Sequence, residues 1–343
     1  MLELLALQAG VGDCLILKWG GPDEPKYLLI DGGAKGTYEN HLGRTLTQLE
    51  IKRVELGILS HVDDDHIAGM LKLFQDLQLK KRQLSFGAFW HNTFSKLVGK
   101  RVDERLVTIV EEKHGRSYRQ GSDLVTRAES LGIKINEEVP GGLVSVESRP
   151  EWLSFSGLDV RVIGPDEQAL DYLRKDWEDW LEEAANPARG GQAPDRSPTN
   201  LSSIVVLARA EGKSLLLTGD ADHKEIGRGL TAAGLLPDGG CLHVDLLKVP
   251  HHGSNRNVTP DFFETVTADV YVVSADADKN HNPAPETLEW LVDAAKKQKR
   301  TFKLYITNSP PEVQRFVRER PQDETYSLTI LPAKDDYLKI TLP

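Results

Sequence analysis

Short apolar runs, each closed by Gly, Asp or Pro, dominate both ends of the chain. LELLALQ, CLILKW and KYLLIDGG predict three strands, the last ending in an Asp-Gly-Gly turn. HLGRTLTQLEIK predicts a helix. VELGILS is a continuous apolar run of the kind parallel sheets bury. Behind it Ile67, Met70, Leu71, Phe74 and Leu77 recur at helical spacing, so a helix begins between Asp64 and His66. Aspartates suit that position as caps and as partners of the helix dipole.

The second half repeats the style. LDVRVIGP predicts a strand. LSSIVVLARA and KSLLLTGD flank Glu211-Gly212 and predict a hairpin. LHVDLLKVPHHGS is a strand that runs into two histidines, and ADVYVVSAD is another strand. NPAPETLEWLVDAAKKQKR predicts a helix with Pro near its start. FKLYITNS, YSLTILP and YLKITL are late strands. Between the halves, residues 91–150 mix charges with two candidate helices. WEDWLEEAANPARGGQAPDRSPTN predicts a short helix and then a loop. Two blocks of strands with interleaved helices predict one layered α/β domain over 1–343, with insertions near 91–150 and 177–200.

Composition narrows the partners. The 343 residues carry a formal net charge of -10. A broad basic grip on nucleic acid is therefore not expected. A nucleic-acid substrate stays open, because bound cations would change the local field. Cys14 and Cys241 form no C-x-x-C pair and are expected to be reduced thiols in a cytoplasmic protein. The start has no basic segment and carries Glu3 and Asp13, so it reads as a first strand and not as a signal peptide. No apolar run reaches the roughly 18 residues that a membrane helix needs.

The chemistry sits at strand ends. His61, His66, His251, His252 and His281 fall in three motifs, each after a predicted strand, and Asp220 closes another. SHVDDDH admits two readings. In one, Asp64 or Asp65 caps a helix. In the other, the loop binds divalent metal. Alternate residues of an extended segment share a side, so His61, Asp63 and Asp65 converge and Asp64 points away. TGD, PHHGS and HNPAPE following in order favour the metal. Trp90-His91 is expected to be a core Trp with a surface His, the alternative being that the pair lines the site. Trp177 and Trp180 are expected to be packing residues. The Lys/Arg residues at 96–119 are expected to form a solvated helical face.

VGDC, IDGG at 30–33, SHVDDDH at 60–66, LLLTGD at 215–220, KVPHHGSN at 248–255 and SAD through HNPAPETL at 274–288 together carry a resemblance. The chain resembles the metallo-β-lactamase superfamily. More narrowly it is similar to the branch of the DNA-uptake-channel hydrolase domain and the phosphorylcholine esterases. The resemblance implies a four-layer αββα sandwich with the site at one edge of the sheets. It implies that His61, Asp63 and one of His251 and His252 bind one ion, that Asp65, His66 and His281 bind another, and that Asp220 bridges them. Asp31 would support the site from behind. Asp65 and His252 are the catalytic candidates. Asp63 stands where the superfamily usually has His, and Asn282 separates His281 from Pro283.

Two divalent ions are the expected cofactors, zinc by default and manganese plausible because three ligands are carboxylates. Zinc can bring the pKa of bound water to about 7, and two ions roughly 3.5–4 Å apart can stabilise attacking and leaving oxygens. The expected reaction is phosphodiester hydrolysis, on a nucleic acid, a nucleotide or a small phosphoester. Amide, lactam or thioester hydrolysis is the alternative enzyme class. A non-catalytic sensor or complex subunit is a third reading, disfavoured by the intact ligand set.

Overall fold

In the first strand, β1 (Leu2–Leu7), every residue is buried. Leu2, Leu4 and Ala6 enter one apolar cluster, while Leu5 and Leu7 enter another. Side chains alternate across a strand, so β1 must be covered on both faces. Glu3, also buried, is held by Lys18 at 3.5 Å and Lys339 at 2.7 Å on the flanking strands. The computed structural model describes residues 1–93, 96–97, 116–175, 198–237, 239–274 and 281–342.

The strands are β1, β2 (Leu15–Trp19), β3 (Lys26–Ile30), β4 (Arg53–Ile58), β5 (Ser85–Trp90), β6 (Leu153–Phe155), β7 (Leu158–Gly164), β8 (Val205–Ala210), β9 (Lys213–Leu217), β10 (Leu242–Lys248), β11 (Val266–Val273), β12 (Phe302–Ile306), β13 (Tyr326–Ile330) and β14 (Tyr337–Leu342). One sheet has the order β14-β1-β2-β3-β4-β5 and the other β13-β12-β11-β10-β9-β8-β7-β6. Leu4, Leu17 and Leu28 from the first sheet meet Val160, Val206 and Leu215 from the second in the apolar layer between them.

Helices close the outer faces. The first sheet carries α1 (Gly43–Gln48), α2 (Asp64–Gln78) and α3 (Arg116–Ser130), whose Leu46, Met70, Phe74 and Leu124 share a cluster with Leu5, Ile16 and Leu29. Then comes the short α4 (Pro198–Leu201). The second sheet carries α5 (His223–Ala232), α6 (Pro260–Thr265), α7 (Pro285–Lys297) and α8 (Pro311–Glu319), which bury Ile226, Phe263, Leu288 and Phe316 against it. The layers run helix, sheet, sheet, helix.

Parallel pairing decides where the loops gather. β3 and β4 are parallel, as are β9, β10 and β11. Their C-terminal ends therefore share an edge, and the loops leaving them hold Asp31, His61, Asp220, His251 and Ser274. The hairpin between β8 and β9 turns on Glu211 (φ 53°) and Gly212 (φ 76°), as a two-residue primed turn requires. The helix expected over HLGRTLTQLEIK is shorter, since a π-helical turn at Tyr38–Leu42 precedes α1. Trp177, Trp180, most of the 177–200 loop and most of the basic strip at 96–119 lie outside the described residues. No described helix is long and apolar enough to cross a membrane.

Candidate metal centre

The site is built on a turn pressed against a helix. Gly32 N–H donates to the His66 carbonyl (2.8 Å), and Gly69 N–H donates to that of Gly33 (3.1 Å). A Cβ on Gly32 would stand 2.1 Å from Met70 N, and one on Gly69 1.9 Å from Gly32 O. Only glycines allow α2 to sit this close. The contact drives Asp31 under the first turn of α2. Asp31 is fully buried and accepts from Ser60 N (2.7 Å), Ser60 Oγ (2.7 Å) and His66 Nδ1 (2.8 Å).

These bonds orient the imidazoles. Nδ1 of His66 is spent on Asp31, so Nε2 faces forward. Ser60 Oγ gives its proton to Asp31 and accepts from His61 Nδ1 at 3.0 Å. His252 Nδ1 donates to the Ser274 carbonyl at 3.1 Å. His251 Nδ1 lies 3.4 Å from the Asn200 amide nitrogen. Asn200 Oδ1 is buried with no partner among the described residues, and a half-turn of the amide makes it the acceptor.

Four Nε2 atoms then surround one oxygen. Asp220 Oδ2 lies 3.3 Å from His252, 3.4 Å from His66, 3.8 Å from His251 and 3.9 Å from His61. Asp63 Oδ2 is 3.7 Å from His61 Nε2. Asp65 Oδ2 is 3.7 Å from His252 Nε2 and 3.9 Å from His66 Nε2. Nε2 of His61, His66 and His252 are buried and have no hydrogen-bond partner among the described residues. Such atoms are costly to leave unsatisfied. Divalent cations among them would satisfy all three, so the donor set fits metal.

Protonation follows the same logic. Burial, reinforced by His66, pushes His61 down to about 3, which leaves a neutral imidazole with a free lone pair. Burial resists ionisation of Asp220, yet His252, His66 and His251 hold it well below the usual carboxylate range. Burial raises Asp63 and Asp65. A divalent cation held beside them would favour their charged forms.

Candidate metal donors thus lie at the shared edge of two sheets that carry helices on both outer faces, the four-layer αββα arrangement expected from the sequence. No family model matches the chain. ComE operon protein 3 of Bacillus subtilis is 22% identical over 305 residues, 84% of this chain and 30% of that protein. Microtubule-associated protein 1A of Homo sapiens is 26% identical over 145 residues, 42% of this chain and 5% of that protein. The chain thus spans less than a third of either relative. Among solved structures, a diphosphatase of the PhnP family aligns with 99% of this chain and 98% of its own, at TM-score 0.44 and 13% identity. A zinc-dependent hydrolase of the metallo-β-lactamase superfamily from Thermotoga maritima, described as putative, aligns with 96% and 100%, at TM-score 0.37 and 9% identity.

Within this four-layer fold, one expected ligand stands elsewhere. The side chain of His281 is 80% exposed and bonds Glu312 on α8 at 2.9 Å. The inward position of its loop is taken by buried Asn282 and by Pro283, which packs on Gly253. His252 stands beside Asp65 and His66, where His281 was expected. Both histidines of the pair therefore face Asp220. His251 (φ 45°) and His252 (φ 54°) are both left-handed, and their rings stand at 87° to each other.

Other expectations change too. The residue at the cap position of α2 is Asp63, whose side chain makes no capping bond, and neither Asp64 nor Asp65 occupies it. Asp64 Oδ1 accepts from Gln120 on α3 (2.6 Å), away from the histidines. His91 is buried, not at the surface, and joins Ser60, His61, Thr199 and Ser202 around a cavity of about 20 Å³. Several contributors carried no assigned role in the sequence reading. Thr199 Oγ1 donates to Asp63 Oδ1 at 2.7 Å. Asn200, Ser60 and Ser274 hold histidines. Thr199 lies 136 positions from Asp63 and has no local signal.

Proposed function

We propose that the chain is a hydrolase that uses two divalent ions to cleave phosphodiesters. His61, Asp63 and His251 would hold one ion, Asp65, His66 and His252 the other, and Asp220 both. One observation carries this reading: a single carboxylate oxygen lies 3.3–3.9 Å from four imidazole nitrogens. Bound ions would supply an activated water near neutral pH and positive charge for the attacked and leaving oxygens. The chain's own part is to fix the donors. Asp31, Ser60 and Ser274 lock three ring orientations. Asp63, Asp65 and Asp220 offset three of the four positive charges of two divalent ions. One positive charge remains, and it favours an anionic phosphodiester. Zinc suits the imidazoles, and the carboxylates also admit manganese.

The test is elemental analysis after metal loading, with turnover of bis-p-nitrophenyl phosphate, single-stranded and duplex DNA, RNA and a chromogenic lactam. About two ions per chain with phosphodiester turnover is the expected result. Lactam turnover alone would move the chain to the other hydrolase class. Absence of bound metal would end the proposal.

A further inference from the structure

Lys248, the last residue of β10, is completely buried. A lysine is rarely left in such a place, because desolvating its charge is costly unless partners surround it. Its Nζ pairs with Asp13 Oδ2 at 2.5 Å and donates to the Gly219 carbonyl at 3.0 Å. An ammonium has three donors, so one more is available. The nearby acceptor is Asp220 Oδ1, 3.9 Å away, itself buried and without a hydrogen-bond partner among the described residues. Oδ2 of the same carboxylate is the oxygen that faces the four histidines.

We infer that Lys248 is a positioning residue that engages Asp220 Oδ1, so that the carboxylate meets the ions through Oδ2 alone. This rests on the two-ion reading above. Two contacts make the restraint stiff. The Gly219 carbonyl belongs to the residue before Asp220, so the ammonium grips backbone and side chain together. Thr218 Oγ1 donates back to the Lys248 carbonyl at 2.9 Å and ties β10 to the β9 loop. Asp13 balances the lysine charge, and its other oxygen lies 3.5 Å from His252 Nδ1. The pair thus touches the bridging carboxylate and one imidazole from behind, outside the ligand set itself.

The test uses Co²⁺ as the probe, titrated against a chelator, with its visible spectrum as a second readout. Removing Lys248 alone strands Asp13, so the main variant is D13N/K248M, which removes both charges. K248M alone, which has no donor and leaves Asp13 to take up a proton, is the backup in case the double variant does not fold. Thermal melts select the folded variants. At least about tenfold weaker Co²⁺ binding is expected, the usual size of an outer-shell effect, with an altered spectrum. Wild-type affinity and spectrum in either folded Lys248 variant would overturn the inference and leave the two-ion reading standing. A wild-type chain that takes up no Co²⁺ would remove both.

Discussion

Asp63, Asp64 and Asp65 are one side chain used three ways. Asp63 is steadied by Thr199 and faces His61. Asp65 faces His66 and His252. Asp64 turns outward to Gln120. Asp63→Asn should therefore weaken metal binding, whereas Asp64→Asn should leave metal content unchanged and cost about 0.5–1.5 kcal/mol for the altered bond to Gln120. Elemental analysis and melting curves check this, and equal metal loss in both variants would refute the facing. The histidines divide in the same way. His252→Ala should remove about one ion per chain, and His281→Ala none. The His281–Glu312 pair is exposed, and such pairs are worth about 0–1 kcal/mol. Metal loss on His281→Ala would refute this placement of His281 outside the ligand set.

At the level of the elements, the contact between α2 and the Asp31–Gly33 turn governs the centre. Gly69→Ala puts a methyl against backbone that cannot swing aside. It should cost about 1–3 kcal/mol or more, as overpacking does. It should also lower metal content, because Asp65 and His66 ride on that helix; a stable variant with full metal would show that the helix can shift freely. The sequence made α2 legible through the spacing of Ile67, Met70, Phe74 and Leu77, and the strand ends through runs such as VELGILS. It could not show the direction of His281, because long-range packing of Pro283 on Gly253 decides that. Nor could it show that two adjacent histidines adopt left-handed backbone. Lys248 left a trace, a charge inside the apolar run LHVDLLKV, but its partners Asp13 and Asp220 are distant in the chain.

Across the whole molecule, the metal and the fold should stabilise each other. Several carboxylates converge at one edge, so cations that bind only the folded chain raise its stability, by about 2.7 kcal/mol per site at a hundredfold excess over Kd. A chelator should lower Tm, and an unchanged Tm would argue that the site stays empty. Acid adds a second dependence. His91 is neutral when folded, since burial pushes its pKa down to about 4. The unfolded chain takes up that proton near pH 6.5, so the folded state loses stability as pH falls from about 6.5 to 4. His91→Phe should flatten this loss by up to about 1.4 kcal/mol per pH unit. Parallel pH–stability curves for wild type and variant would show that His91 is not held neutral.

The left-handed pair His251-His252 has a mechanical consequence. One peptide unit carries a donor for each proposed ion, so the two halves of the centre are yoked. Any change that lengthens, shortens or twists the loop after β10 displaces both donors at once. That loop cannot adjust the grip on one ion while sparing the other. Separate adjustment falls to parts that reach only one half: Thr199 and Asn200 behind Asp63 and His251, and Asp31 and Ser274 behind His66 and His252. Substitutions in those outer partners are where a variant with one strong and one weak site would arise.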